Sequence, residues 1–221
     1  MGGNVRKPYL TLRGKPILSW TLAALARIPQ VRQIVLVTRP DDREMALDAA
    51  RQADLPQRVT VDTADGGARR QDSVFNGLKA TRPDAQLVLI HDAARPFPQH
   101  QALVDVCAKA ADVGAAILAC RVRDTIKKER PSEPATIETT VPRAGLWQAQ
   151  TPQVFQRQLI LDCFEKLTRE ASELEVTDDA SICEYFQQAV ALVESSSSNF
   201  KVTQPEDIAI AEAFLSCGLV E

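Results

Sequence analysis

The chain has only two histidines among its 221 residues, and aromatic residues make up 5% of it. Catalysis built on imidazole as general base therefore has little to draw on. The five cysteines, Cys107, Cys120, Cys163, Cys183 and Cys217, are scattered and include no C-x-x-C pair. With only His91 and His100 to supplement them, no zinc-ligand spacing arises. An odd number of scattered thiols suits reduced cysteines in the cytoplasm. No apolar run approaches the ~20 residues of a membrane span. The N-terminal MGGNVRKPYL lacks the apolar centre of a signal peptide, and Arg6 stands where a myristoylation signal takes Ser or Thr. No G-x-G-x-x-G follows a strand-like run, which argues against a dinucleotide-dependent dehydrogenase. Charge of one sign is not in excess either. The 26 basic residues against 29 acidic ones give net −3, no general grip on nucleic acid or an anionic membrane.

What is present is the make-up of an ordinary globular protein, 45% hydrophobic and 25% charged, long enough for one well-buried domain. Apolar spacing predicts helices over 16–27, 41–53, 74–81 and 101–112, alternating with strands over 33–38, 58–63, 87–90 and 115–122. That alternation predicts an α/β fold with a mostly parallel sheet, Rossmann-like, covered by helices on both faces. The pattern then changes. Two short polar strands, 125–129 and 136–141, flank a loop with Pro131 and Pro134 and carry too little apolar surface for a core. They read as a hairpin arm over 124–144, projecting from one domain that spans 1–221. The chain returns over 147–155, continues as a helix over 158–169, and starts another at Thr177 with Asp178 and Asp179 in its first turn. A strand over 189–193 and a last helix follow, the latter marked by Thr203 and Glu206 at capping-box spacing.

The chemistry concentrates in LVLIHDAARPF, 87–97. A buried strand here delivers Asp92 and Arg95 just past its carboxyl end, where open α/β sheets bind ligands. A carboxylate and a guanidinium there suit a metal and a phosphate, while Ala93 and Ala94 leave room for backbone near a ligand. The plainer alternative makes Asp92 a turn cap paired with Arg95 on the surface. Four further places carry anion-binding chemistry. Gly66 and Gly67 allow positive φ and offer backbone N–H groups, with Ser73 placed to cap the following helix. Lys7 lies in a short basic stretch. Thr125 and Arg143 stand at the two ends of the arm. Lys201 sits between Phe200 and Val202 and, as strand faces alternate, could equally point outward.

HDAARPF, GGARRQDSV, VRDTIK, GLWQAQTPQVF, TDDAS and NFKVTQPED occur in that order. Together they resemble the 2-C-methyl-D-erythritol 4-phosphate cytidylyltransferase family of the non-mevalonate isoprenoid route, from about Lys7 to the last helix. The resemblance implies a nucleotidyltransferase fold and transfer of CMP from CTP to the polyol phosphate, with Mg2+ and release of pyrophosphate. It implies Lys7 at the α-phosphate, Asp92 placing metal and nucleotide, and Gly67, Ala68 and Ser73 at the nucleotide. Ala93, Arg95, Thr125, Thr151, Arg143 and Lys201 are implied around the methylerythritol phosphate. It also implies a homodimer clasped through the arms, with Arg143 reaching the neighbour's pocket. In the family a strand and a glycine-rich loop, roughly P-A-A-G-x-G-x-R, precede the position of Met1. The expectation is a start codon assigned too late. The alternatives are a sister enzyme acting on ribitol 5-phosphate and a non-catalytic dimeric homologue. The reading requires Asp92, Arg95 and Lys201 to converge.

Overall fold

The computed structural model describes residues 6–131 and 133–219; the first five residues, read above for targeting signals, lie outside that part. The chain enters through a single turn at Lys7–Tyr9 and a two-residue hairpin, β1 (Thr11–Leu12) with β2 (Lys15–Pro16). Arg13 and Gly14 turn it with φ of 47° and 80°, the second an angle that glycine adopts without a steric penalty. Helix α1 (Ile17–Ala26) follows and buries residues on most of its circumference, Leu18 and Leu22 on one side and Ile17 on another. Its Thr21 hydroxyl donates to the Ala93 carbonyl at 3.0 Å, tying this helix to the turn carrying Asp92.

Next come β3 (Gln33–Thr38), α2 (Arg43–Arg51), β4 (Thr60–Asp65), α3 (Arg70–Lys79), β5 (Leu87–Ile90), α4 (His100–Val113) and β6 (Ala115–Arg121). The second half runs β7 (Ile126–Arg130), β8 (Thr136–Val141), β9 (Trp147–Gln156), α5 (Arg157–Glu170), α6 (Asp179–Tyr185), β10 (Ala191–Glu194) and α7 (Pro205–Ser216). Strands β3 and β4 pair in parallel as one ladder. The larger sheet has the order β10-β6-β9-β5, with β10 and β6 parallel and β9 antiparallel to both of its neighbours. The expected α/β class holds, and the sheet is mixed because β9 returns through its middle. Residues 115–119 of β6 are all buried, as a strand covered on both faces requires. Val154 and Phe155 of β9 are fully buried, and α5 packs Ile160, Phe164 and Leu167 against Phe155.

One irregularity in β9 matters for the site. Ile117 pairs with Gln153 and Ala119 with Ala149, so three residues, 150–152, face Leu118 alone. A bulge of this kind re-aims side chains where the ladder is interrupted. It turns Gln150 and Thr151 toward the segments past β5 and β10. The hairpin β7–β8 pairs only with itself among the described strands, with its residues exposed apart from Ile126 and Val141. Ile137 is 60% exposed there.

Candidate active site beyond strand β5

The turn after β5 closes with the Arg95 N–H donating to the Asp92 carbonyl at 3.1 Å. Its two charged side chains meet, with Arg95 Nε 3.1 Å from Asp92 Oδ2. Lys201 Nζ lies 3.2 Å from the same oxygen, so the three residues the sequence reading required do converge. Asp92 and Arg95 pair as the plainer alternative had it, but not on the surface. Their side chains are 21% and 14% exposed, against 45% for Lys201. Burial alone would raise the Asp92 pKa; Lys201 and Arg95 outweigh it and hold the carboxyl below its ordinary range.

The segment after β10 is laced to this turn at two points. Arg95 Nη1 donates to the Asn199 carbonyl at 2.7 Å, and Val202 N–H donates to the Ala94 carbonyl at 2.8 Å. Asn199 is fully buried and its side-chain amide donates to Gln150 Oε1 and to the Thr151 carbonyl. The Ala93–Ala94 pair, expected to leave space for a ligand, leaves it for the protein: Thr21 and Val202 take the two carbonyls, and Ala94 is buried. Thr151 is buried as well. Its hydroxyl accepts from Asp92 N–H at 3.0 Å and lies 3.1 Å from His91 Nδ1. Burial pushes the His91 pKa down to about 4. A cavity of about 280 Å³ opens beside the trio, lined by Arg95, Cys120, Gln148, Gln150, Phe200 and Lys201 among others.

The glycine turn differs from its reading. Neither Gly66 nor Gly67 has positive φ. Gly67 is required for space, since a Cβ there would lie 2.4 Å from the Asp72 Cβ. Their N–H groups are taken, Gly66 by the Thr38 carbonyl and Gly67 by Ser73 Oγ at 2.9 Å. Ser73 thus braces the turn from within helix α3, whose N-cap is Arg69, held by Asp72. Ala68 is exposed at its tip. The last helix likewise starts one residue later than expected. Gln204 is the N-cap and Asp207 the third helical residue, because Pro205 takes the first helical place. Thr203 still contributes, donating from its N–H and hydroxyl to Asp207.

Lys7 is exposed and does not join the trio; its charge lowers the Asp207 pKa, after that carboxylate's backbone hydrogen bonds, which places it by the start of α7. Thr125 and Arg143 are exposed at the base of the hairpin, where Arg143 bonds the Arg123 carbonyl, and neither contacts Asp92. The reading missed Gln153, which is 1% exposed. Its amide accepts from the Asp179 and Ala180 N–H groups and donates to Asp178, fixing the start of α6. Fully buried Asp179 then takes a bidentate pair from Arg70 at 2.6 and 2.9 Å. A glutamine beside the apolar pair Val154–Phe155 was the one available signal.

No group of three or more acidic, histidine or cysteine side chains is placed to hold a metal among the described residues. Asp92 nonetheless suits Mg2+ of the substrate-bound kind, which takes one or two carboxylates and completes its shell with phosphates and water. Both cations meet Oδ2, so Oδ1 is the oxygen left for it.

A carboxylate gripped by two cations lies past a strand end with a cavity alongside, the place where an α/β fold binds its ligands. The family model for 2-C-methyl-D-erythritol 4-phosphate cytidylyltransferase matches residues 1–217. A relative so named from Desulforamulus reducens is 39% identical over 97% of this chain and 90% of its own length. Another so named, from Klebsiella pneumoniae, is 42% identical over 95% and 86%. The 4-diphosphocytidyl-2C-methyl-D-erythritol synthase structure from Anaerococcus prevotii superposes with a TM-score of 0.83 at 33% identity, covering 97% of this chain and 92% of that one. The Thermus thermophilus 2-C-methyl-D-erythritol 4-phosphate cytidylyltransferase structure gives 0.77 at 32% identity, covering 95% and 94%. The chain belongs to the 2-C-methyl-D-erythritol 4-phosphate cytidylyltransferase family.

Proposed function

We propose that the protein transfers CMP from CTP to 2-C-methyl-D-erythritol 4-phosphate, releasing pyrophosphate, in isoprenoid precursor synthesis. The observation that carries this reading is the Arg95–Asp92–Lys201 trio at the cavity, in a chain of this family. A phosphate oxygen of the polyol phosphate attacks the α-phosphorus of CTP, a new P–O bond forms, and the α–β anhydride bond breaks. The attacking group is already anionic, so no strong general base is needed, and the low pKa of His91 costs the reaction nothing. The protein's task is positioning and cancellation of charge on phosphate oxygens. Arg95, largely buried, orients one anion, and the more exposed Lys201 reaches toward the incoming one. Asp92 keeps both cations aimed and, through Oδ1, would hold Mg2+; the ion when bound supplies further neutralisation of the triphosphate.

In the same reading Gly67, Ala68 and Ser73 frame the nucleotide, Lys7 lies at the α-phosphate, and Thr151 braces the polyol side. The arm over 124–144 clasps that of a second copy, bringing Arg143 to its neighbour's cavity, and Thr125 helps to hold the methylerythritol phosphate. The exposure of both hairpin strands supports this part of the reading. A cytoplasmic location accords with its scattered free cysteines. No helix among the described residues is long and apolar enough to cross a membrane. Pyrophosphate release from CTP tests the reading: turnover is expected with methylerythritol phosphate and not with ribitol 5-phosphate. The reverse preference would favour the sister activity, and silence with both the non-catalytic alternative.

A further inference from the structure

His91 precedes Asp92 directly, yet the transfer reaction gives it no task. One ring nitrogen meets the last group of the turn that carries the charged pair, and the other reaches its first group through Thr151. Nε2 lies 3.0 Å from the Arg95 carbonyl, the last group of the turn. Nδ1 lies 3.1 Å from Thr151 Oγ1, and that oxygen accepts from the Asp92 N–H, the first group of the turn. The chemistry orders the protons. A carbonyl only accepts, so Nε2 carries hydrogen and donates. The Thr151 hydroxyl already accepts from Asp92, and its own proton goes to Nδ1.

We propose that His91 is a positioning residue: a neutral imidazole, protonated on Nε2 alone, that clamps the first N–H and last carbonyl of the Asp92–Arg95 turn, and so fixes the angle between carboxylate and guanidinium. Thr151 is the other half of the clamp, delivered by the bulge in β9. This rests on the proposed transfer reaction, in which a misplacement of about 1 Å costs roughly 10²-fold in rate. Arg95 and Lys201 could each still reach Asp92 after loss of the clamp, so the effect falls on geometry more than on binding.

The test compares His91→Phe, which fills the space without either bond, with His91→Asn and His91→Gln, which each restore one. His91→Phe is expected to lower kcat for pyrophosphate release about a hundredfold, with KM for CTP within about threefold of the parent. The two amide variants should recover part of the loss, which a merely space-filling role would not allow. In kcat, Thr151→Val should cost less on top of His91→Phe than it costs the parent, since both changes break one device. A second readout needs no turnover. At neutral pH, ¹⁵N spectra of the parent should show His91 with an unprotonated Nδ1 and a protonated Nε2, and Thr151→Val should shift Nδ1. His100→Gln assigns the signals. The opposite tautomer, or a His91→Phe variant as active as the amide variants, overturns the clamp. A parent without turnover sinks the transfer reading instead, leaving the nitrogen signals to judge the clamp.

Discussion

The turn beyond β5 and the hairpin β7–β8 both carry residues assigned to one reaction, and they are held in opposite ways. Around Asp92, side chains are mostly buried and the turn is bonded to segments far along the chain, 59 residues away at Thr151, 72 at Thr21 and 104 at Asn199. In the hairpin the described bonds are its own ladder and local pairs such as Lys128–Glu138 at 2.8 Å. Surface pairs of that sort contribute little to stability. Under the proposed function, the difference separates what one chain organises from what a second copy would complete. Phosphate chemistry of the proposed kind needs cations at fixed angles, and Asp92 holds both Arg95 and Lys201 by one oxygen. Arg143 is tethered only locally, and in the proposed function the second copy would fix its place.

Four substitutions probe this contrast. Asp92→Asn attacks the fixed region at its centre. It leaves two cations without their shared partner, and kcat/KM for pyrophosphate release should fall on the order of 10²–10³-fold. Asp179→Asn tests whether the rigidity extends to the neighbouring helix start. The residue is fully buried but Arg70 is 40% exposed, so the expected loss is about 2–3 kcal/mol in denaturant unfolding, at the low end for a broken buried pair. Arg143→Ala probes the loose region. The midpoint of unfolding should not move, because the residue is exposed. Turnover should fall about tenfold, the scale of one charge-assisted contact. An unfolding midpoint that drops together with turnover would erase the contrast.

Asp207→Asn makes the smallest change. The carboxylate accepts from the Thr203 and Gln204 N–H groups at 2.6 and 2.8 Å, and these bonds hold its pKa below the ordinary range. A lowered carboxyl pKa stabilises the fold above the unfolded value, and that contribution fades as pH drops through the folded one. The variant should therefore lose about 1 kcal/mol at neutral pH, typical of a lost helix cap. The gap to the parent should close under acid, as thermal melts across that range would record.

Much of the molecule was legible beforehand. The strand at 87–90 has the expected bounds, and the alternation through residue 121 gave the right elements because apolar period follows directly from which face is buried. The hairpin β7–β8 was readable from its polarity. Less legible were contacts that depend on distant segments meeting. Nothing local shows that Gln153 takes the first N–H groups of α6, or that Ser73 braces Gly67 in place of capping a helix. The antiparallel course of β9 was hidden because a buried strand shows the same apolar run in either direction.

By itself the order of residues determined the α/β class, the family and the identity of the charged side chains, since these follow from composition, periodicity and motif wording. Tertiary structure alone decided that Asp92, Arg95 and Lys201 share one oxygen while Lys7 and Arg143 stand apart. It also decided that His91 spans the turn between them. Hydrogen bonds and ion pairs act over about 3 Å, and only folding brings residues 92, 151 and 201 within that reach.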